Sequence, residues 1–149
     1  MYIDFKNVSS NNDVTNYTRD LDLKTAIAGV NYDKGSTHYS RENFTSYPDN
    51  VIVTHITADG SEKISLDVSV EPDNSRGSAI NGIGDSSYQR TWDTTVSDGR
   101  ISINGQLTDN QMKFSSQTQV ITDNAGTVTD GDGKVSVSGA SEVTIITSM

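Results

Sequence analysis

The chain has 149 residues, 20 acidic and 11 basic side chains, a formal charge of −9, a pI near 4.4 and no cysteine. Disulfides, thiolate metal sites and cysteine nucleophiles are therefore excluded, and the acidic surface argues against nucleic acid as a partner. No apolar run approaches the roughly 18 residues of a membrane span, and no charged-then-apolar leader opens the sequence. Serine and threonine supply 37 residues, and aspartate outnumbers glutamate 16 to 4. Valine and isoleucine total 25, against 4 leucines and 6 alanines. Strong helix formers are scarce, while residues that pack on a pleated surface and residues that make turns abound. The composition predicts an all-β protein with many turns.

In chain order, the first segment, 2–8, places Ile3 and Phe5 on one face. A polar loop at 9–13 follows, then an alternating stretch at 17–23. Ala26, Ala28, Val30 and Tyr32 share a strand face that stops at the turn signal Asp33-Lys34-Gly35. The return strand, 36–47, carries Tyr39 on one face and Phe44 on the other, and Pro48-Asp49-Asn50 ends it. The run VIVTHIT (51–57) predicts a strand buried on both faces. Ile64, Leu66, Val68 and Val70 alternate with polar residues, the pattern of a strand with one wet face. Residues 72–86, with Gly77, Gly82 and Gly84, lack periodicity and predict a long loop.

Alternation resumes at Tyr88, Arg90, Trp92 and Thr94, and again at Ile101 and Ile103 beyond Asp98-Gly99. Met112 and Phe114 lead a strand to Ile121. Short strands surround Val128 and span 135–137, and the last strand, 142–147, points Val143 and Ile145 to one face and Ile146 to the other. The pattern predicts an antiparallel β super-sandwich of about ten to twelve strands, forming one domain over residues 1–149.

Few motifs carry chemistry. Asp130-Gly131-Asp132-Gly133-Lys134 superficially suggests a calcium loop, but its fifth position is a cation and its twelfth is Ser141, so a hairpin turn is expected and no metal site. His38 and His55 stand 17 positions apart with no carboxylate pairing to suggest zinc, and His55 reads as a core or sheet-surface residue. Serine, histidine and aspartate are too plentiful for a triad to be read, and no G-x-S-x-G elbow presents a serine. Three Asn-x-Ser/Thr sequons, at Asn7, Asn16 and Asn43, are what chance gives in this composition. Tyr88, Arg90 and Trp92 share one strand face by period-2 spacing, and an aromatic face with an arginine can stack on a sugar ring and bond its hydroxyls. A cross-strand packing ladder, or contact with a neighbouring domain, explains the same spacing. These three are the candidate sugar contacts. No catalytic residue and no cofactor is assigned.

Two blocks carry a resemblance. YTRDLDLKTAIAGVNY (17–32) and THYSRENFTSYPDNVIVTHITA (37–58) resemble consecutive stretches in the N-terminal domain of glycoside hydrolase family 95, the α-L-fucosidase family, and SGASEVTIITS (138–148) is similar to the strand closing that domain. Segment 72–98 does not follow the family pattern, and the segments with which family members open this domain are absent. The resemblance implies a non-catalytic piece of a larger 1,2-α-L-fucosidase whose reacting groups lie in a later (α/α)6 barrel, the expected partner. Fucosylated glycans would reach the parent rather than this piece. It also implies an extracellular or cell-surface bacterial location. Tyr39, Arg41, Glu42, Pro48 and Asp49 match the family motif, with scaffold roles expected: Arg41 and Glu42 as strand-surface polar residues, Pro48-Asp49 as a fixed turn. The other readings are a stand-alone carbohydrate-binding module, with Tyr88, Arg90 and Trp92 as its platform, and a surface module with no ligand site. A sandwich lacking its first strands would leave sheet edges unpaired, which predicts self-association or marginal stability.

Overall fold

The computed structural model describes residues 1–6, 13–72 and 90–149. Among them are twelve strands: β1 Tyr2–Phe5, β2 Val14–Asp22, β3 Ile27–Lys34, β4 Thr37–Ser46, β5 Val51–Asp59, β6 Ile64–Ser69, β7 Arg90–Ser97, β8 Arg100–Leu107, β9 Lys113–Thr122, β10 Thr127–Asp130, β11 Lys134–Ala140 and β12 Glu142–Ser148. All pair antiparallel. They form an eight-stranded sheet, β2-β3-β4-β5-β12-β9-β8-β7, and a four-stranded sheet, β1-β6-β11-β10. The expected all-β sandwich is what the residues build. The loop expected at 72–86 and the position of Tyr88 fall outside the described residues, apart from Pro72.

Turn chemistry fixes the hairpins. Asp98 and Gly99 both take positive φ, 53° and 69°, and join β7 to β8 with Ser97 opposite Arg100. Two consecutive left-handed residues match the twist of the flanking strands, and Asp-Gly tolerates that conformation. Gly35 at φ 59° does the corresponding work after β3. The Pro48-Asp49 turn is closed by Ser46, whose hydroxyl donates to Asp49 at 2.6 Å.

The core follows from period-2 alternation. Ile64, Leu66 and Val68 of β6, with Val135 and Val137 of β11, turn inward from the small sheet. They meet Ile56 and Ala58 of β5, Val143 and Ile145 of β12, Val120 and Ile101 from the large one. Leu66, Val68, Val135 and Val143 are wholly excluded from solvent. Two buried hydroxyl contacts cross between strands, as burial favours: Thr118 and Thr147 share a bond of 3.0 Å, and Thr54 donates to Asn43 at 2.9 Å; the buried Ser116 hydroxyl has no partner.

Three expectations need correction. The run at 51–57 is buried on one face only: Thr54, Ile56 and Ala58 face the small sheet, Val53, His55 and Thr57 are half-buried, and Ile52 is 39% exposed. Its apolar density reflects a central place between β4 and β12, where neighbouring strands shield both flanks, rather than a second covering layer. Ala26 does not share the face of Ala28, Val30 and Tyr32; it turns the chain at φ 57° before β3 begins. Arg41 is not a strand-surface residue. It has the same parity as buried Thr37 and Tyr39, so it points inward, opposite to Glu42.

The wet face of the small sheet is tied by one carboxylate. Asp67 receives Lys134 at 2.6 Å, Lys6 at 2.9 Å and the Ser136 hydroxyl at 2.8 Å. These donors, Lys134 first, hold its carboxyl well below the ordinary 3.8. A depressed native pKa contributes stability above the unfolded value and loses it as pH falls toward the native one. Stability should thus decline below about pH 4, and Asp67→Asn should flatten that decline while lowering the neutral-pH melting temperature. Thermal melts of both proteins from pH 2.5 to 7 measure this.

Candidate sugar-contact site

Among the described strands β7 is an outer strand of the large sheet, with a described neighbour, β8, on one side only. Arg90 and Trp92 share a face, as their spacing requires, and both are half-buried. Trp92 lies across from Gly105 of β8, which in turn lies across from Phe114 of β9. The row is large-small-large. A Cβ on Gly105 would sit 2.6 Å from the Thr91 carbonyl oxygen and against the Phe114 ring. Glycine at this place is what lets the aromatic ring lie over the strand. The Arg90 Nε is buried and has no acceptor.

A cleft of about 360 Å³ opens beside this row. Trp92 and Gly105 line it together with Thr91, Asp93, Asn104, Gln106 and Lys113. The set offers an indole, two amides, a hydroxyl, an ammonium and one carboxylate. Such groups can bond several hydroxyls of a sugar. Glycoside hydrolysis usually uses two carboxyl groups flanking the scissile bond, and among the described residues the lining holds one. Of the three sequence-predicted contacts, the structure places Trp92 on the cleft and Arg90 next to it along β7. Tyr88 lies outside the described residues.

The other candidate groups resolve into local structure. Asp130 to Lys134 form the β10–β11 hairpin: the Gly131 amide donates to the Lys134 carbonyl at 2.9 Å, and Gly133 takes φ 68°. Asp130 accepts the Gly99 amide at 2.9 Å, and Lys134 turns to Asp67. His38 Nδ1 lies 2.6 Å from Asp33, whose carboxyl also accepts from Asn16 at 2.6 Å. The Asn16 bond and then His38 pull the Asp33 carboxyl below its usual range. His55 sits on the outer sheet surface against the Thr144 hydroxyl at 3.0 Å, the second of the two places, core or sheet surface, expected for it.

A second hollow, of about 160 Å³, lies at the opposite side of the large sheet. Phe5, Tyr17, Val30, Tyr32, Tyr39 and Arg41 line it, with Ser40 and Ile56. The Tyr32 and Tyr39 rings stack at 5.1 Å and 11°. Burial, with Glu62 beside it, pushes the Tyr39 phenol up to about 12; its hydroxyl donates to Glu62 at 3.2 Å. The sequence could have shown this cluster. Strands 27–34 and 37–46 form a tight hairpin, which sets Tyr32 opposite Tyr39 and Val30 opposite Arg41.

These features sit on a fold with known counterparts. A family model described as "Glycosyl hydrolase family 65, N-terminal domain" matches residues 1–149. The chain belongs to this family. Two relatives carry α-fucosidase names. "Alpha-L-fucosidase 2" of Arabidopsis thaliana is 46% identical over 55 residues, 37% of this chain and 6% of that protein. "Probable alpha-fucosidase A" of Aspergillus niger is 41% identical over 49 residues, 33% of this chain and 6% of that protein. Among solved structures, "Putative kojibiose phosphorylase from human microbiome" superimposes with a TM-score of 0.57 at 12% identity, over 91% of this chain and 19% of that one. At that identity the likeness concerns the fold alone. The matched stretches thus span a small part of each relative.

Within this family 65 N-terminal domain, the Trp92 row makes a clear demand on Gly105. Gly105→Ala should cost about 1–3 kcal/mol by forcing Phe114 and β7 apart, and should red-shift the emission of Trp92, the single tryptophan. Chemical denaturation followed by fluorescence measures both.

Proposed function

We propose that this chain, whose family model is the family 65 N-terminal domain, is the non-catalytic N-terminal β-sandwich of an α-fucosidase of the family 95 type, a 1,2-α-L-fucosidase, and serves as a scaffold against the enzyme's catalytic barrel. The observation that carries this reading is the pair of partial matches, 46% and 41% identical, to proteins whose names specify α-fucosidase. The motif blocks at 17–32 and 37–58 agree with it. The site chemistry is consistent with it: among the described residues the cleft at Trp92 holds one carboxylate rather than a hydrolytic pair. An (α/α)6 barrel is the proposed partner and fucosylated glycan the proposed substrate of the whole protein, acting outside the cell by family analogy. A parent that performs inversion would hold its two carboxyl groups roughly 6.5–9.5 Å apart.

A second reading, a carbohydrate-binding module, is favoured by one feature, the polar cleft beside Trp92. Two measurements separate the readings. The purified chain incubated with 2′-fucosyllactose should release no fucose; detectable release overturns the non-catalytic assignment. Titration of Trp92 fluorescence with the same sugar should stay flat to millimolar concentration. A saturable change that Trp92→Ala removes would favour the module.

A further inference from the structure

The two sheets differ in width, eight strands against four, and the shortfall is at one end. Phe5, on the outermost strand β1 of the small sheet, reaches the hollow formed by β2, β3 and β4. Beyond Phe5 the large sheet continues with no described layer above it. A cross-strand row records the change: Tyr39 on β4 is 6% exposed, Tyr32 on β3 is half-buried, and Tyr17 on β2 is 58% exposed. Leu21, on the same strand, is 59% exposed. A bulge between Thr15 and Thr18, with Asn16 at φ 51°, sets Tyr17 on the inner face beside Tyr32. Apolar surface continuous with a core and left open marks an interaction site.

Two further observations specify the occupant. Among the described residues β1 pairs with β6 alone, so within them its other edge presents unpaired backbone groups, a template for another strand. Arg41, opposite Val30 and Ile56 in the row below the tyrosines, has a buried Nε with no acceptor. A buried donor left unmet is costly, and a guanidinium in a partly dry wall favours a carboxylate.

We propose that the free edge of β1 and the inner face of β2–β4 together form a docking surface for one further β-strand of polypeptide, which carries an acidic side chain to Arg41. The strand hydrogen-bonds to β1, extends the small sheet to five strands and lays alternate apolar side chains on Tyr17, Leu21 and Tyr32. A second copy paired through its own β1 does not fit this place. Pairing β1 with β1 about a two-fold axis puts both eight-stranded sheets on the same side, and their β2–β4 portions collide. The strand's source is the remainder of the parent hydrolase, a point that rests on the proposed function; the surface itself does not.

The test uses the chain with a seven-residue peptide of alternating valine and threonine and a central glutamate, and its glutamine counterpart, followed by NMR. The expected result is saturable shifts of the Tyr2–Phe5 amides and the Arg41 Nε–H, and binding about ten-fold tighter for the glutamate peptide. Tyr17→Ser/Leu21→Ser changes two exposed residues. That variant should keep the native spectrum and lose the binding. Absence of shifts at millimolar peptide, equal binding of the two peptides, or the same shifts with 2′-fucosyllactose instead would each overturn the proposal. A gene that encodes no hydrolase around these residues would remove the parent reading and leave the peptide result standing.

Discussion

The contact between two apolar sheet faces is the constraint from which the rest follows. Each strand that alternates can hide one face only, so β6 and β11 have to lie against β5, β12 and the adjoining strands. The result is a core of β-branched side chains in which Leu66, Val68, Val135 and Val143 have no exposure at all. That seam joins residues far apart in sequence: β6 pairs with β11 some 70 positions later, and β5 with β12 about 90 later. Such non-local pairing places the burden of stability on few central strands. It leaves the outer strands, β2 and β7, free to carry side chains that the core does not need.

Local rules were written plainly in the sequence. Asp98-Gly99, Asp33-Lys34-Gly35 and the glycines after Asp130 announced their hairpins, because positive φ restricts the residues that can stand there. The alternation of Ile64, Leu66 and Val68 against Ser65 and Asp67 gave a one-sided strand, and the burial of β6 follows it residue by residue. The sequence resisted where neighbours in space decide. Residues 51–57 read as doubly buried because a central strand and a doubly covered strand share the same β-branched composition. The side of the sheet that Arg41 occupies was recoverable from its even spacing to Tyr39, but a charged residue invites an outward reading. The partnership of Trp92 with Gly105 and Phe114 depends on the β7–β8–β9 register, which no short-range pattern announces.

Charge is distributed in keeping with this division. The formal −9 is spread over turns and wet faces, and the strongest cluster, Asp67 with Lys6, Lys134 and Ser136, sits on the outer surface of the small sheet. There it stitches β1, β6 and β11 together across their polar side. It stabilises the layer that covers the core without placing a charge inside it, which avoids the desolvation cost of a buried pair. Arg41 departs from that arrangement, an inward-facing cation with a buried, unmet nitrogen.

The two hollows differ in kind, and the difference bears on function. The cleft at Trp92 is lined by an indole, amides, a hydroxyl and both signs of charge, groups that water satisfies well, although the Nε of Arg90 beside it is buried without an acceptor. The hollow at Arg41 is lined mainly by aromatic rings and continues the core surface directly, through Tyr39 and Ile56. Its rings lose contacts for want of a covering layer, and its arginine lacks an acceptor. A domain that stands against a larger body gains most by burying the second surface. A free-standing sugar binder would use the first. Each surface has one arginine Nε without an acceptor, Arg90 at the first and Arg41 at the second; the uncovered aromatic surface that continues the core lies with the second, which favours the proposed scaffold role over a lectin.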